Sequence, residues 1–262
     1  MTSDDHPSDS DDLAVAFVLL KHSEKPDGKK IIKAASALGV DLHATDSGDS
    51  GASFSTPDGV TAQVMTMGFP HPDAQRTSSA GPTSIKPAEA RAASDHIMIV
   101  VHGLTGSARE RDGLLAKLTA AVIETVPAVG AMLGHGAVFH KARLFRDAVA
   151  ETPGDLIPPV LAVDVTMARD SDTRLSFLTH GMARHGREDL YVTCPISSGN
   201  DGARFTLGLV RWMLTDPAKQ FPTGDTIGRT PTERVRVQRA PHPIRRDEVA
   251  MRLDLTPVEV QR

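Results

Sequence analysis

Hydrophobic positions along the chain recur in short runs whose spacing predicts both strands and helices. Residues 13–20 form an apolar run bounded by polar residues, which is typical of a buried strand. Residues 31–38 carry apolar side chains on one helical stripe, and Gly39 is suited to end that helix. The clearest helical stripe covers residues 114–125. The same patterns predict further strands at residues 60–67, 96–101, 160–165, 175–178 and 190–194, further helices at residues 138–149 and 205–213, and loops at residues 45–55 and 70–87.

Two passages of the chain share one order of predicted elements. Residues 13–102 run strand, helix, strand, strand, short helix, strand, and residues 128–194 follow the same order with a brief helix near Gly181. This is the order of ferredoxin-like proteins. We therefore predict an α+β fold with mixed or antiparallel sheets and helices packed on one side, built from two ferredoxin-like halves fused into one body. The globular unit should cover residues 13–255, with halves at 13–125 and 126–255, between a disordered acidic tail at 1–12 and a second tail at 256–262.

Composition and charge narrow the class of protein. Hydrophobic residues make up 40% of the chain, which is enough for a core, but aromatic residues make up only 4%, so that core must be aliphatic. The net charge is −4, and residues 1–12 contain five Asp and no basic residue. Removing these five from the 33 acidic residues leaves 28 against 29 basic residues, so the folded body is nearly neutral. No overall field attracts it to nucleic acid or to an anionic membrane.

The cysteine count and the apolar runs predict the compartment. Cys194 is the only cysteine, so no intramolecular disulfide can form, which fits a reducing compartment. No run reaches the roughly 20 apolar residues that a membrane helix needs. We therefore predict a cytoplasmic protein without a membrane partner. Cys194 itself is expected to be a buried small hydrophobe rather than a nucleophile.

Several short motifs suggest enzymes, but each lacks a part that the chemistry requires. Residues 102–107 read His-Gly-Leu-Thr-Gly-Ser, like the His-Gly loop of α/β-hydrolases, yet no G-x-S-x-G nucleophile elbow occurs in the chain. Ser107 is better explained as a helix cap. The Gly-Asp-Ser-Gly at residues 48–51 is predicted to be an ordinary loop. Both common phosphate-binding glycine motifs are missing from the sequence, so no cofactor is predicted.

The strongest remaining candidates for chemistry are His102, His135, Asp164 and His180, near the ends of predicted elements. The pairs at residues 135/140 and 180/185 are five positions apart, which separates the two imidazoles by about 140° on a helix and places them on opposite faces of a strand. No single element therefore offers two ligands to one metal ion, and no metal is predicted. A catalytic site would need several elements to converge. For Asp164 the pattern favours a solvent-facing carboxylate over one paired with a histidine or arginine.

The C-terminal part of the chain is rich in arginine. Val235 and Val237 alternate with Arg234 and Arg236, which places these two arginines on one face of a predicted strand. Such a face, together with Arg239, is able to contact phosphates, but no aromatic residue is nearby to stack on bases. A solvated face that protects a sheet edge is the favoured interpretation, and a nucleic-acid partner is not expected.

Several segments together resemble one bacterial family, known as domain of unknown function 4261. They are Val15-Ala-Phe-Val-Leu-Leu-Lys21, His135-Gly-Ala-Val-Phe-His140, Asp164 on its strand, Thr179-His-Gly-Met-Ala-Arg-His-Gly-Arg-Glu-Asp-Leu-Tyr-Val192 and Thr223-Gly-Asp-Thr-Ile-Gly228. In this order they span about residues 13–255. The chain departs from the family at Ala131-Met-Leu133, where the family tends to have aromatic residues. The resemblance implies the fold and an intracellular setting, and because the family has no established activity it implies no catalytic residue.

Two functional hypotheses follow. The first is a non-catalytic intracellular binding or interaction protein whose partner is another protein, because the common catalytic and cofactor motifs are missing from the sequence. The alternative is a metal-dependent or histidine-based hydrolase assembled from His102, His135, Asp164 and His180, in which the histidines would ligate metal or transfer protons and Asp164 would orient one of them. A third hypothesis is nucleic-acid contact through Arg234, Arg236 and Arg239.

Overall fold

The computed structural model arranges the chain in two main sheets and a short hairpin. It describes residues 13–48, 51–76, 81–136, 138–154, 156–216, 218–230 and 232–255, so the predicted tails at 1–12 and 256–262 lie outside the described residues. The strands are β1 (Leu13–Leu20), β2 (His43–Ser47), β3 (Gly51–Ser55), β4 (Thr61–Thr66), β5 (Asp95–His102), β6 (Ala128–Leu133), β7 (His140–Lys141), β8 (Asp164–Arg169), β9 (Arg174–His180), β10 (Leu190–Pro195), β11 (Thr226–Ile227), β12 (Val235–Arg236), β13 (Gln238–Pro241) and β14 (Val249–Asp254). The helices are α1 (Gly28–Ala37), α2 (Pro72–Arg76), α3 (Pro87–Arg91), α4 (Ala108–Ile123), α5 (Ala142–Glu151), α6 (Pro159–Ala162) and α7 (Gly199–Thr215), with 3₁₀ helices at Met182–His185 and Ile196–Ser198.

The first sheet has seven strands in the order β2-β3-β4-β5-β1-β6-β7, and each adjacent pair is antiparallel. The apolar run of β1 pairs along its whole length with β5, from Leu13 opposite His102 to Leu20 opposite Asp95. The second sheet has the order β13-β14-β10-β9-β8, in which β10 and β14 are parallel and the other pairs are antiparallel. The hairpin of β11 and β12 stands apart from both sheets.

Both faces of the first sheet are covered. Ala16 and Val18 of β1 face the main core, against which α1 and α4 pack. Leu19 points to the other face, where it packs with Ala74 of α2 and Ala90 of α3. This alternation follows from the two-residue repeat of a strand. The prediction of helices on one side only is therefore wrong for this sheet, since the small helices α2 and α3 cover its second face.

The α4 helix occupies the centre of the molecule. It contacts α1, α5, α6, β1, β6 and the Met182–His185 turn, and its buried residues lie on nearly all sides of the helix. A helix that is apolar all round is typical of a buried position. Two polar residues of this helix, Asp112 and Thr119, are completely buried. Thr119 donates a hydrogen bond to the backbone carbonyl of Leu115, whereas Asp112 has partners outside the helix.

The predicted α+β class with mostly antiparallel sheets is confirmed, but the strand order differs from that of two ferredoxin-like halves. The predicted second half starts at β6, which instead pairs with β1 and β7 in the first sheet. Only β8, β9 and β10 of that half pair together. The predicted order of elements agrees with the structure only in part, since it contains neither the hairpin of β2 and β3 nor α6. Element order also does not determine which strands become neighbours.

Three local predictions are wrong for identifiable reasons. Residues 45–55 are not a loop, because β2 and β3 form an edge hairpin there; β2 is exposed on both faces and so has no apolar alternation. Residues 160–165 begin as α6, because Pro159 favours the first turn of a helix, and the strand starts only at Asp164. Residues 70–87 include α2 and the buried Ile85. Asp49 and Ser50 of the Gly-Asp-Ser-Gly segment lie outside the described residues.

No helix in the described part of the chain is both long and apolar enough to cross a membrane.

We expect Ser107→Ala to lower the free energy of unfolding by about 1 kcal/mol, because Ser107 caps α4. Its hydroxyl accepts from the Glu110 amide at 3.4 Å, and its own amide donates to Glu110 Oε2 at 2.7 Å, which completes a capping box. Ser198 is a matched control, since it precedes α7 without a side-chain capping bond. Urea denaturation should show Ser198→Ala within about 0.5 kcal/mol of the wild type. Equal losses in both variants would contradict this interpretation of the cap.

Candidate functional site

Three of the four predicted site residues lie where the two sheets meet. His135 lies in the turn after β6, Asp164 begins β8, and His180 ends β9 opposite Asp164. A Cβ atom at Gly136 would lie 3.1 Å from Asp164 Oδ2, so the turn carrying His135 passes directly beside that carboxylate. We call this place the junction, and define it as Asp112, His135, His140, Asp164, His180, Arg184 and His185.

His102 does not belong to the junction. It is the exposed last residue of β5, opposite Leu13 of β1 and Thr61 of β4. Because β1 lies between β5 and β6, His102 is about 10 Å across the sheet from the strand that carries His135. The structure therefore brings together His135, Asp164 and His180 and separates His102 from them.

Asp164 has a buried histidine as its partner. Its Oδ1 lies 3.2 Å from Nε2 of His140, and the two side chains are only 5% and 3% exposed. The other ring nitrogen, Nδ1 of His140, lies 3.0 Å from the Thr83 hydroxyl. The prediction that Asp164 faces solvent is therefore wrong. A carboxylate at the buried start of a strand is costly without a partner, and β7 of the first sheet supplies one.

Asp112, which the sequence analysis did not select, is the most buried acidic group of the junction. Its side chain is 0% exposed, and both of its oxygens accept from Arg184, at 2.8 Å from Nε and 2.7 Å from Nη2. His135 Nδ1 is 4.0 Å from Asp112 Oδ1, which is longer than a hydrogen bond. The only signal in the sequence is an acid within the apolar stripe of α4. Its partner is 72 positions away, so no local pattern could identify it.

Burial lowers the pKa of three histidines of the junction, which favours their neutral form. Desolvation lowers the pKa of His135 despite the opposing charge of Asp112. Desolvation also lowers the pKa of His180, against the charge of Asp189. For His185, burial again lowers the pKa, although its Nε2 donates to the Ala162 carbonyl at 3.4 Å. Neutral imidazoles are able to accept protons, but they add no positive charge to the junction.

The geometry of the junction favours a structural role. Arg184 neutralises Asp112 through two hydrogen bonds, and His140 contacts Asp164. Both carboxylates therefore already have partners within the chain. Among the described residues, no group of three or more His, Cys, Asp or Glu is arranged to hold a metal ion. The Asp112–Arg184 pair connects α4 to the turn after β9, and the His140–Asp164 pair connects β7 to β8. Each pair therefore ties the first sheet and its helices to the second.

The structure also locates the other candidate groups of the sequence analysis, which are Cys194 and the C-terminal arginines. Cys194 is completely buried, and burial raises the pKa of its thiol, which disfavours the nucleophilic thiolate. Val235 and Val237 are buried while Arg234 and Arg236 are exposed, as their alternation predicts. Arg239 is not available to phosphates, because it pairs with Glu188 at 2.8 Å and donates to the Phe221 carbonyl at 2.7 Å.

A groove along α7 is a different kind of candidate site. It has a volume of about 560 Å³ and lies between α7 and the segment that leads to β11. We call it the α7 groove. It is lined by Asp201, Arg204, Phe205, Gly208, Leu209, Trp212, Lys219, Gln220, Phe221, Asp225, Thr226, Ile227, Gly228 and Arg229.

Trp212, the only tryptophan of the chain, packs against neighbouring side chains in this groove while remaining 42% exposed. Its ring meets the ring of Phe221 edge-on, with centroids 5.1 Å apart at 79°. The ammonium of Lys219 lies over the indole, 5.0 Å from the ring centroid. The sequence pattern placed Trp212 on the same stripe as Leu209 and Met213. The structure buries Leu209 and Met213 and turns Trp212 outward.

Comparison with known proteins identifies no family for this fold and these two sites. No protein-family model matches the chain. No curated protein matches it significantly. The resemblance to domain of unknown function 4261 therefore stays a prediction.

We expect Arg184→Met to cost about 3–5 kcal/mol of unfolding free energy, because it leaves the fully buried Asp112 carboxylate without its charge partner. Arg143→Met is the matched control, since Arg143 is 88% exposed and pairs with Asp147 on the surface at 3.4 Å. That surface pair should contribute less than about 1 kcal/mol. Chemical denaturation of the two variants measures both values. An Arg184→Met variant as stable as the control would contradict the structural role of the junction.

Stability should fall as the solution is acidified from about pH 7.5 to about pH 5.5. The pKa values of His135, His180 and His185 are lowered in the folded state, so below the unfolded value of about 6.5 the unfolded chain binds more protons than the folded one. The stabilisation that these three histidines contribute is complete above their unfolded pKa. It is lost as pH falls toward their lower pKa values in the folded state. Melting temperatures across this range check the expectation.

His180→Gln should flatten this dependence, whereas His102→Gln, on the exposed end of β5, should leave it unchanged. A wild-type melting temperature that stays constant over the range, or the same slope in His180→Gln, would show that these imidazoles do not control acid stability.

Proposed function

We propose that the protein is a non-catalytic binding protein that recognises a segment of another protein in the α7 groove. The observation that carries this proposal is the exposed indole of Trp212, which packs against Phe221 in a groove of about 560 Å³. We also propose that it acts inside the cell, since its single cysteine forms no internal disulfide.

An anchored aromatic side chain is suited to binding because little conformational entropy is left to lose. Phe221 and Lys219 already restrict the Trp212 ring, so a partner does not have to order it. Tryptophan is enriched among the few residues that dominate protein interfaces. Phe205, half-buried about two turns earlier on α7, extends the apolar wall. An apolar side chain of the partner is therefore expected to lie between Phe205 and Trp212.

The length and charges of the groove favour a short extended peptide. The wall from Asp201 to Trp212 spans eleven positions of α7, or about 16 Å, which matches roughly five residues in extended conformation. Arg204 makes no ion pair with any residue that the structure describes, and it lies one turn from the end of that wall. It is placed to meet an acidic side chain of the partner. Arg229, by contrast, is engaged by Glu233.

The junction is the less suitable place for the function. Its carboxylates are paired internally, and its geometry is explained by the connection between the sheets. A hydrolase built from His135, Asp164 and His180 would have to free at least one of these pairs. The α7 groove needs no such rearrangement, because its indole and the guanidinium of Arg204 are already accessible.

The proposal is tested by selecting peptides from a displayed library of random seven-residue sequences on the immobilised wild-type protein. Selected peptides should contain an apolar or aromatic residue beside an acidic one, and their binding should quench or shift the fluorescence of Trp212. Trp212→Ala should weaken them by about 30-fold or more, since anchor residues contribute at least about 2 kcal/mol. Ile244→Ala removes an even more exposed apolar side chain elsewhere and serves as the control. Peptides that bind Trp212→Ala as tightly as the wild type would refute the proposal.

A further inference from the structure

A second cavity lies on the neighbouring face of α7, and Gly208 borders both this cavity and the α7 groove. Its volume is about 610 Å³, within the range of roughly 300–1,000 Å³ typical of small-molecule sites. The end of α5, the segment leading into α6, and α7 form its walls, with Arg109 of α4 beside them. Apolar side chains make up most of this lining, notably Leu156, Val160 and Leu207 together with three prolines.

Arg109 gives this cavity a specific chemistry. Its Nη1 donates to the Leu214 carbonyl at 2.6 Å, but its Nε is buried and has no hydrogen-bond partner among the described residues. Burial also lowers the pKa of Arg109, which reflects the loss of water around its charge. A partly desolvated guanidinium is stabilised by a nearby anion, because the attraction of opposite charges offsets the lost hydration.

The charges around the cavity favour an anion over a cation. Arg211, exposed on α7, is a second guanidinium in the lining and forms no ion pair with a described residue. Glu151 is the one acidic residue among the lining side chains, and it is exposed, so solvent screens it more than it screens Arg109. The lining of the cavity therefore carries more positive than negative side chains, although the chain as a whole has a net charge of −4.

We propose that this cavity binds a small organic acid, with its carboxylate at Arg109 and Arg211 and its apolar body against Leu156, Val160 and Leu207. The carboxylate would pair with the guanidinium groups of Arg109 and Arg211 from the cavity side. The aliphatic and proline walls fit a hydrocarbon chain or a single aromatic ring. The protein would then hold a small ligand on one face of α7, in addition to any peptide in the α7 groove.

Calorimetry and thermal melting with 4-phenylbutyrate and hexanoate test the proposal on the full chain. Both carboxylates should bind and raise the melting temperature, and the neutral amides of the same acids should bind at least about tenfold more weakly, because they lack the charge-assisted hydrogen bond. Arg109→Gln and Arg211→Gln should each reduce carboxylate affinity, by about tenfold or more for Arg109. Arg143→Gln, on the exposed face of α5, should not change it.

Because Arg109 also holds the end of α7, a loss of binding in Arg109→Gln has to be separated from a loss of folding. Leu207→Trp fills the cavity while keeping both arginines in the chain, and it should abolish binding in a protein that still melts cooperatively. Trp212→Ala should retain carboxylate binding, which separates this site from the α7 groove. The proposal is overturned if neither acid binds at about 10 mM, if acids and amides bind equally, or if Leu207→Trp binds as the wild type does.

Discussion

The buried pair of Asp112 and Arg184 is the interaction on which the joining of the two sheets depends. Asp112 lies on the central helix α4, which packs against the first sheet, and Arg184 lies in the turn that follows β9 of the second. A charge buried without its partner is expensive, so this pair fixes the second sheet at one position on α4. The neighbouring contact of His140 with Asp164 does the same between β7 and β8. Polar groups that resemble a catalytic cluster are thereby used to hold the fold together.

Two surface spaces outside the junction lie along α7. One flank carries the exposed indole of Trp212, and the other carries the apolar cavity beside Arg109. Gly208 lines both spaces, and a Cβ atom there would meet nothing within 4 Å. A glycine inside a helix costs about 1 kcal/mol relative to alanine. The packing within the chain therefore does not require a glycine at this position.

Much of the fold was predictable because hydrophobic periodicity reports burial on each element. The strand at residues 13–20, the helix ended by Gly39 and the alternation around Val235 all follow from local patterns, and the structure confirms them. The errors occur where periodicity carries no information. The edge strand β2 is polar on both faces, and residues 159–162 are too short for a helix to be distinguished from a strand. Strand order depended on contacts between distant segments, so β6 joined a sheet that the element order did not predict.

The sequence alone determined the α+β class, the aliphatic core and the capped start of α4 at Ser107, because each follows from residues close together in the chain. It also indicated that His135, Asp164 and His180 lie at element ends. Only the tertiary structure decided that Asp164 contacts His140, that Asp112 contacts Arg184, and that Trp212 turns outward while Leu209 turns inward. The two polar pairs join residues that are 24 and 72 positions apart in the sequence. The free energy of a buried charge or an exposed ring is set by its neighbours in space, which no local pattern specifies.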